Sequence, residues 1–560
     1  MGKEGHEMVS QPKYKVKAKK NLAVPTRDGV RLAADIYYPD ADGKFPALVG
    51  LSPYGKDVQK LPIADFPTDT KLMNGGIESG DTDYFVSRGY VHVLADCIGT
   101  GDSEGAYRVF TQREFESGYD LIEWVAGQPW CNGSVGMLGM SYFAMIQYGV
   151  ASLRPPHLKA IFPHDGAADI YRHWAYHGGI LDLGFLQHWW PMVLAHTLEP
   201  SDITGPELER LVENLKTNND IMGFPYAYVH LRFPEKNPHL VDILTHPFDG
   251  PFYWERSGYT KFSKIKIPAY LLSRWTAWSI HLPGAFGAFR EIDGPKKLMI
   301  TIPESGVGFN RPWHENHDIV LRWYDHWLKG IDTGIMDEPP ISLFVQGINQ
   351  WRHENEWPLS RTKWAKFYLR ENGLLAESSP AASEIPDTFN NIPWLKPGQE
   401  VPCVKYSTAL LTEDIEVTGP STLYLFASIS SQDTDWIVEI RDVDSSGAEK
   451  LVSMGWLKAS HRELDESKSL PYQPFHPHTR SLPVKPGQVY EYAIEIRETS
   501  MVFKAGHRIQ LVIKGQDAPW EGKEYFRDVF WHLPRREQTK HEVHHTPKYS
   551  SYLLLPVIPR

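Results

Sequence analysis

The stretch Ser134-Val-Gly-Met-Leu-Gly-Met-Ser-Tyr-Phe-Ala144 decides the fold of this 560-residue chain. Its first half is a short apolar run, typical of a buried strand, and a helical pattern follows over 142–151. Between the two, Ser141 stands in a tight turn with the small residues Gly139 and Ala144 on either side. A nucleophile elbow needs this strand–turn–helix setting, because the turn pushes the serine Oγ out at the carboxyl end of a sheet. The strict G-x-S-x-G pattern is not met, so an ordinary small-residue turn is the alternative interpretation.

The sequence on both sides of this stretch alternates strand and helix signals. We predict apolar strands at 46–51, 90–95, 134–138, 158–162, 267–272 and 297–301, and helices at 114–126 and 319–328. Buried apolar strands that alternate with amphipathic helices indicate a parallel sheet with crossover helices. Ser141 therefore ends a central strand, in the region where open α/β sheets bind their ligands.

Two other regions depart from this α/β pattern. Between residues 167 and 258 the strand signals stop, and a sequence rich in Trp, His, Leu and Pro indicates inserted helices. After about residue 340, short alternating segments such as 421–426, 436–440, 489–493 and 509–513 are separated by turns. This second pattern is typical of an all-β sandwich or jelly roll.

Composition and charge exclude several classes of protein. With 42% hydrophobic and 12% aromatic residues, the chain can bury large cores and is not a disordered protein. The net charge of −11, without a basic block, argues against a nucleic-acid partner. No apolar run is long enough to span a membrane, and the polar N-terminus has no apolar segment of a secretory signal. We therefore expect a cytoplasmic protein without a membrane partner.

The cysteines indicate neither a disulfide framework nor a metal site. Cys97, Cys131 and Cys403 are odd in number and far apart in the sequence. The segment 541–545 matches H-E-x-x-H, but it lies in what reads as the last part of the β region rather than on a helix, so we interpret it as a chance match. We expect no metal and no cofactor.

Several motifs resemble those of the cocaine esterase and X-Pro dipeptidyl-peptidase-like (CocE/NonD) serine hydrolases, over nearly the whole chain. They are Val24–Asp35, Asp96–Gly105, Trp130–Tyr142, Asp169–Arg172, Trp323–Gly330, Gly455–Arg462 and Phe503–Arg508. The resemblance implies three domains. These are an α/β-hydrolase catalytic domain at 1–166 and 259–340, an inserted helical cap at 167–258 and a C-terminal jelly roll at 341–560.

The resemblance also implies roles for individual residues. Ser141 attacks an ester or amide carbonyl, and the oxyanion is held by the hydroxyl of Tyr54 and the backbone N–H of Tyr142. Both groups are donors directed at charge that appears only in the tetrahedral intermediate. Trp275 is placed among the substrate-binding residues. A core tyrosine at a strand end is the alternative for Tyr54.

The chain departs from the family's pattern at three positions. They are the catalytic acid, the catalytic base and an arginine that the family usually has. The family's acid stands two residues after a Trp that is here Trp275, and that position holds Ala277. Its base follows the next strand, where 301–306 contains no histidine, and the usual Arg of its Asp-x-Arg-Gly segment is Ile98. A serine hydroxyl is a poor nucleophile without an adjacent base. Either the relay is rebuilt from other residues or the chemistry is not hydrolysis.

A rebuilt relay is available in the sequence. Asp165 stands at the carboxyl end of the strand after the nucleophile strand, where some α/β hydrolases, such as the pancreatic lipases, carry their acid. For the base we predict His281, which the resemblance places along the family's pocket. An imidazole there could reach Ser141, with Asp165 fixing its tautomer. His314, after the last strand, is the second candidate. A turn or helix-cap aspartate and ordinary histidines, of which the chain has 24, are the alternatives.

The predicted cap carries a group of aromatic and imidazole side chains. They are His173, Trp174, His177, His188, Trp189 and Trp190. Plain core packing is one interpretation. Because caps roof the nucleophile in the family, we interpret the group as the lining of an aromatic, largely apolar acyl pocket.

Three functions are therefore compared. We expect a serine hydrolase that cleaves an ester, lactone or amide of a hydrophobic small molecule through an acyl-enzyme on Ser141. The missing relay motivates a non-hydrolytic alternative, namely acyl transfer, elimination or cyclisation of a biosynthetic intermediate. The third interpretation is an inactive scaffold or binding protein, against which the elbow and Tyr54 argue. The expected partner is a small molecule with a hydrophobic or aromatic acyl group, and a homodimer is compatible with the sequence.

Overall fold

The computed structural model describes residues 9–60, 78–189, 193, 198–223, 225–302, 316–393, 395–518, 520–521 and 531–559. They form two compact units. The first comprises the described residues of Met1–Ile170, Trp189–Pro200 and Pro251–Ser342. The second comprises those of Tyr171–His188, Ser201–Gly250 and Leu343–Arg560.

The first unit is built on a mostly parallel sheet. The strands up to this point of the chain are β1 (Val16–Pro25), β2 (Arg31–Pro39), β3 (Phe45–Ser52), β4 (Val91–Asp96), β5 (Cys131–Met140), β6 (Leu158–His164), β7 (Tyr176–His177), β8 (Ile180–Leu181), β9 (Ala269–Arg274) and β10 (Lys296–Thr301). In the first unit they lie in the order β1-β2-β4-β3-β5-β6-β9-β10. The pairings of β2 are antiparallel and those from β4 to β10 are parallel. With the hairpin β7–β8 left out, this is the strand order of an α/β hydrolase, as predicted.

Helices connect these strands. They are α1 (Thr82–Ser87), α2 (Gln112–Ala126), α3 (Tyr142–Ser152), α4 (Leu183–Trp189), α5 (Gly205–Lys216), α6 (Asn219–Met222), α7 (Pro225–Arg232), α8 (Pro238–Thr245), α9 (Pro251–Arg256), α10 (Leu282–Glu291) and α11 (His317–Lys329). The predicted helices at 114–126 and 319–328 correspond to α2 and α11. The region 167–258 contains α4 to α9, so its helical interpretation is confirmed, and it also contains the hairpin β7–β8. No helix in the described ranges is long and apolar enough to cross a membrane.

Two glycines bring α2 and α3 into close contact. A Cβ on Gly118 would lie 2.5 Å from the side chain of Val150, and one on Gly149 would lie 2.2 Å from that of Phe115. Larger residues would separate the two helices. The contact therefore fixes α3 against the sheet, and the first turn of α3 follows directly on Ser141.

α11 packs on the middle of the sheet. The indole N–H of Trp323 donates to the carbonyl of Ile161 at 3.2 Å, and the hydroxyl of Tyr324 donates to the carbonyl of Met137. Gly136 leaves room for the Tyr324 ring, since a Cβ there would lie 2.4 Å from it. These contacts hold β5 and β6, whose carboxyl ends lead into the candidate site.

The second unit contains a closed β-barrel. The strands after residue 340 are β11 (Ile341–Val345), β12 (Gln350–Glu354), β13 (Lys363–Arg370), β14 (Leu374–Ala376), β15 (Asp387–Asn390), β16 (Cys403–Ser407), β17 (Ile415–Ile429), β18 (Asp435–Val443), β19 (Glu449–Lys458), β20 (Tyr490–Phe503), β21 (Arg508–Lys514), β22 (Lys540–His544) and β23 (Tyr552–Ile558). Of these, β13 to β23 form the sheet of the barrel, and β11 and β12 do not belong to it. The ring runs β17-β20-β19-β18-β21-β16-β14-β13-β23, and β23 pairs with β17 to close it. β22 also pairs with β17, and β15 pairs with β22.

The barrel encloses a large apolar core. Leu423, Trp436, Ile494 and Leu511, on four different strands, are among its fully buried members. The segments predicted as strands at 421–426, 436–440 and 509–513 fall within β17, β18 and β21, and the segment 489–493 begins one residue before β20. The H-E-x-x-H match begins on β22, a strand, and therefore lacks the helix that a zinc protease needs.

Candidate active site

Ser141 stands between β5 and α3 in a strained backbone conformation. Its φ is +57° and its ψ is −116°, a region that residues with a side chain rarely adopt. Its N–H donates to the carbonyl of His164 at 3.0 Å, which ties the turn to the end of β6. Gly139 is required here, because a Cβ on it would lie 2.2 Å from the Cβ of Phe143. This is the geometry of a nucleophile elbow.

Tyr54 follows β3 and lies beside Ser141. Its hydroxyl oxygen accepts a hydrogen bond from the indole N–H of Trp189 at 3.0 Å. Burial raises the pKa of Tyr54 well above its ordinary value, and the charge of Glu78 raises it further. Hydrogen bonds with Trp189 and Ser141 lower the pKa of the same hydroxyl. The group is therefore a neutral donor whose orientation is fixed by the indole.

Tyr142 is the first residue of α3, so its backbone N–H has no partner inside the helix. Its buried side chain is held on two sides. The hydroxyl donates to Glu114 at 2.7 Å and accepts from Tyr107 at 3.0 Å, and the ring of Phe110 stacks on it at 4.2 Å. Burial raises the pKa of Glu114 to about 7. The ring thus anchors the turn in which the Tyr142 N–H lies next to Ser141.

Asp165 directly follows β6 and is fully buried. Its φ of +53° gives a second left-handed residue at a neighbouring strand end. One carboxylate oxygen accepts from the hydroxyl of Ser273 at 2.8 Å, and the other accepts from Arg274 Nε at 2.8 Å and from a second guanidinium N–H. Burial alone would raise the pKa of Asp165, but Arg274 lowers it below its ordinary value. Asp165 is therefore an ionised carboxylate held by Arg274.

His281 caps the start of α10 and is only 3% exposed. The start of this helix packs on the loop after Asp165, because a Cβ on Gly284 would lie 2.1 Å from the carbonyl oxygen of Gly166. Burial lowers the pKa of His281 to about 4, while the charge of Asp165 acts to raise it. The Nδ1 atom has no hydrogen-bond partner among the described residues. Within those residues no hydrogen bond joins His281 to Asp165 or to Ser141, so the relay stays a prediction.

The other predicted site residues are placed as follows. Trp275 is buried and its ring lies 6.0 Å from that of Phe286 on α10. Trp189 contacts the site through Tyr54. His314, Trp190 and the side chain of His188 lie outside the described residues. His173, Trp174 and His177 belong to the second unit.

Two charged side chains at the site were not predicted from the sequence. Arg274 is the last residue of β9, and its signal was a charged residue two positions after the apolar run 267–272. Glu78 approaches the elbow through its backbone, since its carbonyl accepts the N–H of Met140 at 2.8 Å. Burial raises the pKa of Glu78 well above its ordinary value, Asp165 raises it further, and Arg274 lowers it. No local pattern in the sequence marks Glu78.

The sequence matches two known domain families. Residues 28–303 match the X-Pro dipeptidyl-peptidase (S15) family, and residues 333–554 match the X-Pro dipeptidyl-peptidase C-terminal non-catalytic domain. The first match contains the elbow, Tyr54, Asp165 and His281. The second contains most of the barrel.

Individual proteins resemble the chain over most of its length. The cocaine esterase of Rhodococcus sp. (strain MB1 Bresler) is 28% identical, over 96% of this chain and 98% of its own. The crystal structure of a CocE/NonD family hydrolase from Staphylococcus aureus is 26% identical and superposes with a TM-score of 0.80, over 97% of this chain and 93% of its own. An α-amino acid ester hydrolase, 19% identical over 97% of both chains, shares the fold with a TM-score of 0.76.

Proposed function

Because the chain belongs to the CocE/NonD, X-Pro dipeptidyl-peptidase-like family and is a hydrolase of the carboxylic ester type, we propose that it cleaves an ester, lactone or amide of a hydrophobic small molecule through an acyl-enzyme on Ser141. The observation that carries this proposal is the strained elbow at Ser141 with the Tyr54 hydroxyl beside it. A strained conformation persists only where the surrounding structure over-determines it, and such positions cluster at active sites.

The oxyanion is held by the Tyr54 hydroxyl and the Tyr142 N–H. Both are oriented before the substrate arrives, Tyr54 by the Trp189 indole and Tyr142 by its bond to Glu114. Donors fixed in this way lose little free energy to reorganisation when charge develops on the carbonyl oxygen.

His281 takes the proton of Ser141. Its lowered pKa of about 4 keeps the imidazole neutral at neutral pH, the form that accepts a proton. The charge of Asp165 then stabilises the imidazolium through space. In this arrangement Asp165 acts electrostatically, since its oxygens bond to Ser273 and Arg274.

The same bonds favour a second candidate function. A carboxylate already committed to Arg274 is a weaker orienting group for histidine than the one in an ordinary triad. Acyl transfer, elimination or cyclisation on a biosynthetic intermediate would still use Tyr54 to polarise a carbonyl.

The remaining parts of the proposal concern the rest of the chain. The acyl group that binds is hydrophobic or aromatic, and Trp189 forms one wall of its pocket next to Tyr54. The barrel has the connections of a jelly roll. The protein acts in the cytoplasm.

Labelling with a fluorophosphonate probe tests the proposal. The serine oxygen displaces fluoride from the phosphorus, so labelling reports an activated serine. We expect the wild type to label, and Ser141→Ala and His281→Ala to lose labelling. His157→Ala changes a half-exposed histidine of the same unit, bonded to Glu123, and should label like the wild type.

Each outcome separates the candidates. Labelling that survives in Ser141→Ala would place the nucleophile elsewhere. If His281→Ala labelled like the wild type and Ser141→Ala did not, His281 would not be the base. No labelling of the folded wild type would favour the non-hydrolytic candidate, and a screen for lyase or cyclase activity would follow.

A further inference from the structure

Glu78 is a buried carboxyl group next to the elbow that the proposed mechanism has not used. Its backbone carbonyl accepts the N–H of Met140, the residue before Ser141, at 2.8 Å. On its other side, the Gln59 side-chain oxygen accepts the N–H groups of Glu78 and Ser79 at 2.9 and 3.2 Å. These bonds fix the position of Glu78 relative to the nucleophile.

The Glu78 carboxyl and two side chains next to it have polar atoms without partners. Within the described residues, Glu78 Oε2, Gln59 Nε2 and Ser79 Oγ are buried and form no hydrogen bond. Buried polar atoms are normally paired, because an unpaired group costs about 1–3 kcal/mol. A group of them beside a strained serine is the feature expected where a substrate's polar atoms bind. Glu78 itself is 2% exposed.

The charges that face Glu78 favour its protonated form. Asp165 is ionised, and Arg274 already donates to it. The guanidinium charge of Arg274 therefore mainly neutralises Asp165 and does little to stabilise an ionised Glu78. Burial and the Asp165 charge both raise the pKa of Glu78, against the smaller effect of Arg274. The Tyr54 hydroxyl is close enough for the charge of Glu78 to raise its pKa as well. A neutral carboxylic acid is the form that donates a proton.

The other acidic groups at the site cannot take this part. Asp165 is ionised and held by Arg274. Glu114 accepts from the Tyr142 hydroxyl and from the Phe110 N–H, so its oxygens are engaged. His281 is neutral and, in the proposed mechanism, receives the proton of Ser141.

We propose that Glu78 is the general acid of this site, which protonates the leaving oxygen or nitrogen of the substrate. The inference rests on the proposed function, since it needs an acyl-enzyme on Ser141. It divides between Glu78 and His281 the two tasks that one histidine performs in an ordinary triad.

The steps balance in protons and electrons. Ser141 Oγ forms its bond to the carbonyl carbon as its proton passes to His281. The bond from that carbon to the leaving oxygen then breaks, the electron pair stays on the oxygen, and the Glu78 proton neutralises it. Water attacks the acyl-enzyme and gives its proton to the Glu78 carboxylate. Ser141 Oγ leaves with the proton of the His281 imidazolium, and both groups return to their starting forms.

Two esters of one acid separate this role from others. 4-Nitrophenyl benzoate releases a stable phenolate that needs no proton, whereas ethyl benzoate releases an alkoxide that does. We expect Glu78→Gln, which keeps size and neutrality, to lower kcat/KM for ethyl benzoate by about 10²-fold or more. For 4-nitrophenyl benzoate we expect a change of less than about 3-fold, against a typical 10²–10⁴-fold for a lost general acid. Glu78→Asp keeps the acid and should recover part of the ethyl benzoate activity.

Glu114→Gln is the matched control, as a second buried glutamate beside the elbow. This variant should lower kcat/KM for both esters by the same factor, because Glu114 orients Tyr142 and transfers no proton. If Glu78→Gln lowered kcat/KM by the same factor for both esters, the proposal would be overturned. It would also be overturned if kcat/KM fell for neither ester. A wild type that labels and cleaves only the nitrophenyl ester would also overturn it, because no acid would then serve the leaving group. A wild type that neither labels nor cleaves the nitrophenyl ester would instead refute the proposed function, and this inference with it.

Discussion

Replacing Tyr54 by Phe removes the hydroxyl that we propose as one oxyanion donor and leaves the ring in place. Only the hydroxyl is lost, and the edge-on contacts of the ring with Tyr142 and Phe143, at 5.9 and 6.3 Å, remain. Loss of one preorganised donor costs about 10²–10³ in kcat, or about 2.7–4 kcal/mol of transition-state stabilisation. We expect Tyr54→Phe to lower kcat on 4-nitrophenyl benzoate by that factor and to change KM little, because the donor binds charge that is absent from the ground state.

The same substitution has a predictable effect on stability. The Trp189 indole N–H loses its acceptor, and an unpaired buried donor costs about 1–3 kcal/mol. Tyr90→Phe is the control, because Tyr90 is fully buried and its hydroxyl donates to Asp325 at 2.6 Å, in the core under α11. It should lose comparable stability in urea unfolding and keep kcat. A fall in kcat of less than about 3-fold in Tyr54→Phe would refute the assignment of Tyr54 to the oxyanion hole, against the factor of 10²–10³ expected.

Three further predictions concern stability and the elbow. Arg274→Gln leaves the Asp165 carboxylate buried without its cation and should lower the free energy of urea unfolding by about 3–5 kcal/mol at pH 7. Part of this loss should return as Asp165 takes up a proton in acid, and equal stability of the wild type and the variant at pH 7 would contradict the prediction. Gly139→Ala places a Cβ against Phe143 at a φ of +146° and should lose fluorophosphonate labelling together with more than about 1 kcal/mol of stability, whereas full labelling would show that the turn tolerates the change. The pKa of Glu78 is raised in the folded state, so the wild type should lose stability relative to Glu78→Gln as the pH rises above 4.5. The loss should be about 1.4 kcal/mol per pH unit until the folded carboxyl ionises, and a stability difference that is independent of pH would argue against a raised pKa.

The sequence predicted the parts of the site that depend on local pattern. The elbow at Ser141 follows from an apolar run, small flanking residues and a helical pattern, all within about one turn of each other. The order of strands and helices also follows from periodicity, because buried parallel strands and their crossover helices differ in period. Asp165 was predicted at a strand end because it lies three residues after the apolar run 158–162, and β6 ends directly before it, at His164.

The missed residues depend on contacts between distant segments. β9 ends at Arg274, two residues beyond the predicted apolar run, so Ser273 and Arg274 were not placed at the strand end. Their meeting with Asp165 depends on the parallel register of β6 and β9, in which His164 is opposite Leu272, and no local pattern encodes that register. Glu78 reaches the elbow through its backbone carbonyl. Such an approach leaves no periodic signal in the sequence.

The closure of the barrel, like the contacts of Glu78 and Arg274, depends on segments that are far apart in the sequence. It also determines what the chain exposes while it is being synthesised. β17 pairs with β20 on one side and with β22 and β23 on the other, and β22 and β23 come well after β17 in the sequence. A ribosome adds residues over seconds, so β17 emerges well before its later partners. During that interval its edge carries unpaired N–H and C=O groups, which can template association with another chain. The ring therefore closes only after β23 has left the ribosome, and a nascent chain stalled before that point would need a chaperone to cover the open edge of β17.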